Sequence, residues 1–174
     1  MTMRHLAVFM LIGANALLAA CGSEQSGTIK TPDGETAEYR IDEASGETTR
    51  TIKPPEGDAT LRSGQGVPVT LPDGLSLFPG STVVSNTVVN QPDGAGTMIM
   101  FEAPAKASAI IAHFKGRAEK AGYAIELEAN MNDTMMLSGK RAADDTSFMV
   151  STGAAMDGKT GGQLVIGRGK GMGG

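Results

Sequence analysis

Several groups of residues in this sequence have types and spacings that could do chemistry, and the clearest is a nucleotide-binding pattern. The segment 153–160, GAAMDGKT, matches GxxxxGK[ST]. In a P-loop, a helix begins at the lysine, and its backbone amides hold the phosphates. Here Gly161, Gly162 and the extended run 163–166 follow instead. The segment therefore predicts a turn between two strands.

Methionines form a second candidate group. Met98 and Met100 are two residues apart, and Met131, Met135 and Met136 lie close together in the sequence. Thioethers suit Cu(I), and residues two apart on a strand project from the same face. Flexible Met side chains also fill apolar cores. With only 4% aromatic residues, core filling is the favoured interpretation, and a Cu(I) site is the alternative.

The residues that could support catalysis are few. Asp144 and Asp145 are adjacent in a polar segment, where carboxylates usually face solvent, and nothing nearby predicts the apolar surroundings that raise a catalytic pKa. The chain has one cysteine and two histidines. A single cysteine excludes disulfides within the chain and zinc sites built from several cysteines. We predict no catalytic residue, no metal ligand and no cofactor, and the protein is not expected to be an enzyme.

A basic strip is a possible partner-binding feature. Lys106, His113, Arg117 and Lys120 recur at spacings of 7, 4 and 3 beside the apolar stripe of a predicted helix. Such a strip could contact an acidic partner or an anionic envelope component. The favoured interpretation is the solvated side of an amphipathic helix.

The overall charge limits the kinds of partner. Among 174 residues, Lys and Arg number 15 against 19 Asp and Glu, which gives a net charge of −4. Nucleic-acid binding relies on clustered cations that displace counterions from phosphates. We expect no nucleic-acid partner.

The first 27 residues have the pattern of an export signal. Arg4 and His5 precede the apolar run 6–20, which ends in Leu18-Ala19-Ala20-Cys21 and is followed by polar residues 22–27. The run is shorter than the roughly 20 apolar residues that span a bilayer. It is typical of the apolar region of a signal peptide, so residues 1–20 are predicted to be a signal peptide.

The sequence Leu18-Ala19-Ala20-Cys21 resembles the lipobox of bacterial lipoproteins. The resemblance implies cleavage before Cys21, a diacylglyceryl group on its sulfur and an acyl chain on its amine. Two or more acyl chains attach a protein stably to a membrane. Gly22 stands where the family's inner-membrane retention signal has Asp, so the resemblance implies an outer-membrane protein that faces the periplasm.

Residues 21–66 are predicted to form a lipidated tether. They are polar, and an imperfect repeat relates residues 28–34 (TIKTPDG) to residues 51–57 (TIKPPEG). Each copy is an extended run followed by a proline, an acid and a glycine, which is typical of a small hairpin. Because large apolar residues are scarce here, we expect marginal β-hairpins and a spacer between the membrane and the next domain.

Residues 67–168 have the pattern of an α+β domain, and residues 169–174 form a Gly-rich tail. Apolar residues recur every three or four positions from Lys106 to Ala121, which predicts an amphipathic helix over 106–121 that is followed by a left-handed Gly122. Six strands are predicted around it, at 82–89, 96–102, 123–129, 134–139, 147–151 and 163–167. The order ββαββββ indicates an antiparallel sheet with one helix packed on a face.

The domain also resembles, weakly, small bacterial envelope domains of unknown function that carry Tyr-Pro-Gly, Phe-Tyr and Gly-Trp. The matching positions are Phe78-Pro79-Gly80, Phe114-Lys115 and Gly122-Tyr123, with Phe, Lys and Tyr at the three departures. This resemblance implies no activity.

These observations together predict a non-enzymatic, membrane-anchored envelope lipoprotein. It is expected to bind or support an envelope protein or an anionic envelope component through a sheet edge or the basic strip. The alternative is a periplasm-facing module that binds a small ligand or Cu(I).

Overall fold

The computed structural model describes residues 24–30, 36–52, 58–131, 134–156 and 158–169. The signal segment, Cys21 and residues 170–174 of the tail lie outside the described residues. One antiparallel sheet contains ten strands in the order β1-β2-β3-β4-β5-β6-β10-β9-β8-β7. The elements are β1 (Glu24–Lys30), β2 (Thr36–Asp42), β3 (Glu47–Ile52), β4 (Ala59–Gly64), β5 (Thr82–Gln91), β6 (Gly94–Ala103), α1 (Ala107–Lys120), β7 (Ala124–Met131), β8 (Thr134–Arg141), β9 (Thr146–Met156) and β10 (Lys159–Gly169).

The α+β class and the elements from β5 onward are confirmed. Two strands, the helix and four strands follow one another in the predicted order. Neighbouring strands of the sheet are consecutive in the chain, with one exception. β6 pairs with β10, although α1 and three strands lie between them in sequence. α1 ends at Lys120 with Ala121 as its C-cap residue; the next residue, Gly122, takes a left-handed φ of 81° and donates its N–H to the carbonyl of Glu119.

The predicted extent of the sheet is wrong, because four more strands belong to it. β1–β4 continue the sheet without a break, and β4 pairs with β5 from Thr60 opposite Asn90 to Gly64 opposite Asn86. Strand pairing uses backbone hydrogen bonds, so β5 can extend the sheet into a polar sequence that has no core of its own. The predicted hairpins are confirmed as the pairs β1–β2 and β3–β4; their turns, 31–35 and 53–57, lie outside the described residues.

Small local contacts hold the first four strands. Ala37 is buried, and the ring of Tyr39 covers the glycine directly opposite it, Gly27. Arg62 donates two hydrogen bonds to Glu47, from Nε to Oε1 at 2.7 Å and from Nη2 to Oε2 at 3.0 Å. Aromatic cover over a strand glycine and cross-strand ion pairs are ordinary ways to stabilise a sheet.

The hydrophobic core lies between α1 and one face of the sheet. The helix packs mainly on β7, β8 and β9. Its buried residues are Ile110, Ile111, Phe114 and Ala118. They meet buried strand residues that include Ile99, Phe101, Leu137, Val150 and Leu164.

The segment 65–81 between β4 and β5, which we call the strap, crosses the helix-covered face of the sheet. Its Leu75 joins the core. Asn86 is fully buried and donates its Nδ2 to the carbonyl of Pro68 at 2.8 Å, while its Oδ1 accepts a hydrogen bond from Thr97 Oγ1 at 2.8 Å. Near the middle of the strap, Gly74 lies against Ala121 at the end of α1. The strap therefore connects β5 to the end of α1.

Candidate functional site

The face of the sheet opposite α1, which we call the open face, presents large apolar side chains to solvent. These side chains are between 38% and 58% exposed. They are Met98, Met100, Leu127, Met131 and Met149. Apolar residues scattered singly on a surface are normal, but a contiguous group indicates an interaction surface.

The strand register makes this group contiguous, because directly paired residues share a face of the sheet. One row crosses five strands through Met98, Val165, Met149, Ser138 and Leu127. The next row contains Met100, Gln163, Ser151, Met136 and Ala129. Both rows consist of apolar and neutral polar residues.

Two ion pairs lie on the open face at the margins of this group. Lys159 Nζ is 3.4 Å from Glu102 Oε2, and Lys140 Nζ is 2.8 Å from Asp145 Oδ1. The hydrogen bond with Asp145 raises the pKa of Lys140. An uncharged centre with a charged margin is the usual composition of a protein–protein interface.

The core-filling interpretation of the methionines is wrong for Met98, Met100 and Met131. Met135 packs against the core, but those three side chains are exposed. The alternation in β6 explains the error: Ile99 and Phe101 are buried on the helix side, and Met98 and Met100 alternate with them. Apolar residues on both faces of a strand make an exposed face and a second buried face look alike in sequence.

The nucleotide-binding pattern is a hairpin, as predicted. Lys159 and Thr160 begin β10 and do not begin a helix. Thr160 Oγ1 donates to the carbonyl of Ala105 at 2.6 Å. Both side chains that would hold phosphate in a P-loop thus contact the protein, since Lys159 pairs with Glu102.

Asp144 and Asp145 are both ion-paired. Arg141 holds Asp144 through Nε at 3.0 Å and Nη2 at 2.8 Å, and these hydrogen bonds keep the pKa of Asp144 well below its usual range. A carboxyl group with a lowered pKa is ionised near neutral pH and is a poor general acid.

The basic strip is divided by the structure. Lys106, Arg117 and Lys120 are exposed. His113 is half-buried beneath the strap, where its Nε2 lies 3.0 Å from the carbonyl oxygen of Ser76. That contact requires a proton on Nε2, so the imidazole is engaged within the protein. Binding of an anionic partner by the other three stays a prediction.

Metal-binding side chains do not cluster in the described residues, where no group of three or more His, Cys, Asp or Glu could hold an ion. Likewise, none of the described helices has the length and apolarity to cross a bilayer. Comparison with protein-family models, curated proteins and solved structures finds no match to this chain.

Proposed function

We propose that this protein is a lipid-anchored, non-enzymatic envelope protein that binds another protein through the open face of its sheet. The observation that carries the proposal is the contiguous exposed group around Met98, Met100 and Met149. Methionine side chains adapt their shape to different apolar surfaces. A surface of this type loses exposed apolar area when it is covered, which favours association.

A protein fits the open face better than a membrane surface does. Cationic side chains beside an apolar surface attract anionic lipids. Lys140 and Lys159 at the margins are already paired with Asp145 and Glu102. The uncharged side chains of Ser138, Ser151 and Gln163 between the methionines offer hydrogen bonds to a partner's polar groups, as protein interfaces do.

The anchor proposed for this protein is a lipid on Cys21, supported by the lipobox resemblance. Glu24, the first residue of β1, is three residues later, so its Cα can lie at most about 11 Å from that of Cys21. From β1 to β6 there are five strand spacings, or about 24 Å. We expect the first four strands to separate the methionine group of the open face from the anchored end, in place of a flexible spacer.

The partner proposal is tested by placing a charge at the centre of the open face. A photo-crosslinking residue at position 100 in membranes should give one discrete adduct, and Met98→Glu should abolish it. Val69 on the strap has nearly the same exposure, 37% against 38% for Met98, so Val69→Glu is the matched control and should leave the adduct unchanged. An adduct that survives Met98→Glu, or that Val69→Glu also removes, contradicts the proposal.

The anchor is tested separately by mass spectrometry of the N-terminal peptide from membranes. A peptide that begins at an acylated Cys21 is expected, and Cys21→Ser should release the protein from the membrane pellet after any processing by a general signal peptidase. An unmodified Cys21 still joined to residues 1–20 would overturn the anchor without affecting the open face.

A Cu(I)-binding module is the alternative function, and the shared orientation of Met98 and Met100 favours it. Competition with a Cu(I) chelator should then show uptake by the protein, lost when both methionines are changed to Leu. Met135→Leu is the control, because Met135 packs against the core. No uptake by the unmodified protein eliminates this alternative.

A further inference from the structure

A groove lies on the helix-covered face of the sheet, beneath the first half of the strap, and it is separate from the open face. Its volume is about 510 Å³, within the range of roughly 300–1,000 Å³ that small-molecule sites occupy. The strap forms one wall through residues that include Thr70, Leu71 and Pro72. The sheet forms the floor, where Val88, Thr97 and Ile166 are directly paired across β5, β6 and β10.

Small residues leave space at the open end of the groove. The next row of the floor runs from Asn90 through Ala95 to Arg168 and Thr146. Ala95 has only a methyl group between the longer Asn90 and Arg168, which stand one strand to either side. The strap leaves this end uncovered because it turns away towards α1 at Asp73 and Gly74.

The groove has more positive than negative side chains, and not all of the positive ones are in ion pairs. Three guanidinium groups and two carboxylates line it. Arg62 is paired with Glu47, and Arg141 with Asp144. The side chain of Arg168 is exposed and has no ion pair or hydrogen bond in the part of the chain that the structure describes. It is therefore the cation that can accept an anionic group without breaking an existing pair.

A buried hydroxyl lies beside the same charged wall. Tyr123 is only 4% exposed, and its Oη has no hydrogen-bond partner within the described residues. Burial raises the pKa of this hydroxyl, and the charges that act on it are Arg141, Asp144 and Arg168. Of these, Arg141 also contacts the residue directly, with its central carbon 4.7 Å from the centroid of the Tyr123 ring.

From this geometry we propose that the groove binds a small organic anion with an apolar body, of the medium-chain carboxylate class. The carboxylate contacts Arg168, and the apolar chain lies along Leu71, Val88 and Ile166. An inorganic anion would leave these apolar side chains uncovered, and a neutral apolar molecule would not use the guanidinium. A polyanion would come close to Asp73 and Asp144, and these carboxylates would repel its additional negative charges. The proposal does not depend on the open face or on the lipid anchor.

The test uses the chain from Gly22 onward, which contains every described residue, with octanoate as the probe and amide NMR as the readout. Octanoate should give saturable shifts at Ala95, Thr70 and Arg168. Octan-1-ol and inorganic phosphate should bind at least about tenfold more weakly, because each lacks one of the two contacts. Equal binding of octan-1-ol, or shifts confined to Met98 and Met149, overturns the proposal.

Variants at two positions test the charge of Arg168 and the free volume above Ala95 separately. Arg168→Gln should weaken octanoate binding about tenfold, and Arg168→Lys should restore part of it, whereas Arg50→Gln at an exposed position of β3 should have no effect. Ala95→Leu fills the floor and should also weaken binding, with circular dichroism as the check that each variant folds. Unchanged affinity in both folded Arg168→Gln and folded Ala95→Leu contradicts the assignment.

Discussion

The guanidinium of Arg141 lies over the ring of Tyr123, with its central carbon 4.7 Å from the ring centroid. The same side chain donates Nη1 to the carbonyls of Asp73 at 3.3 Å and Ala121 at 3.4 Å. Together with its two hydrogen bonds to Asp144, these contacts join the strap, the end of α1 and the β8–β9 turn. Arg141 is therefore a structural connection between three parts of the chain.

Replacing this arginine should destabilise the fold. We expect Arg141→Met to lower the free energy of unfolding by about 2–3 kcal/mol, because it removes charge-assisted hydrogen bonds and a cation–π contact and leaves Asp144 unpaired. Urea denaturation measures the change. Arg117→Met, at an exposed position of α1, should change it by less than about 0.5 kcal/mol. Similar losses in the two variants would show that Arg141 has no special role.

The stability should depend on pH through Asp144. Its pKa is lower in the folded protein than in the unfolded chain, so folding favours the ionised form. The stabilisation is fully present above the unfolded value of about 3.9 and decreases as the pH falls below it. The stability difference between the unmodified protein and Asp144→Asn should accordingly shrink between pH 5 and pH 2. A difference that stays constant over this range would show that the ion pair is not formed.

Asn86 should hold the strap on the sheet. Asn86→Ala removes the donor to the carbonyl of Pro68 and leaves the Thr97 hydroxyl with only its longer bond to the carbonyl of Thr87 at 3.2 Å, which should cost about 1–3 kcal/mol. Hydrogen exchange should rise at the amides of residues 67–71. Asn90 lies four residues later on the same strand and is exposed, so Asn90→Ala should leave both measurements near their original values. Exchange that rises equally across the whole sheet would argue against a local role.

Two glycines should respond to alanine in opposite directions. Gly74 has a φ of 89°, and an added methyl group would clash with Ala121, so Gly74→Ala should destabilise the protein by at least about 1–2 kcal/mol. Gly116 is inside α1, with open space around the added methyl. Gly116→Ala should stabilise the protein by about 0.5–1 kcal/mol through helix propensity. Thermal unfolding of both variants measures the two signs, and a shift in the same direction would contradict this account.

Local patterns were sufficient to predict α1 and the strands from β5 onward. Alternation, turn residues and the three-to-four spacing of Ile110, Ile111 and Phe114 all depend on neighbours in sequence. The hairpins β1–β2 and β3–β4 were predicted for the same reason. The sequence did not predict that these hairpins belong to the sheet, because that depends on the pairing of β4 with β5. The sequence of a polar strand does not indicate which edge strand it pairs with.

The candidate sites were mostly beyond the reach of the sequence. Asp73 and Arg141 are 68 residues apart, and Ser76 and His113 are 37 apart, so neither contact has a local signal. The open face depends on which side of β6 the helix covers. His113 was expected on the surface, and the path of the strap over the ring accounts for its partial burial.

The pairing of β6 with β10 affects the chain while it is being synthesised, before the residues of β10 exist. β6 contains the uncharged run Thr97 to Phe101, which is rich in β-formers and free of proline, the composition of segments that self-associate as cross-β structure. Its second edge stays unpaired until the residues of β10 have been made and have folded back across the sheet. β10 thus covers an edge that is prone to aggregation, and a chain that stops before Lys159 would present that edge to its own copies.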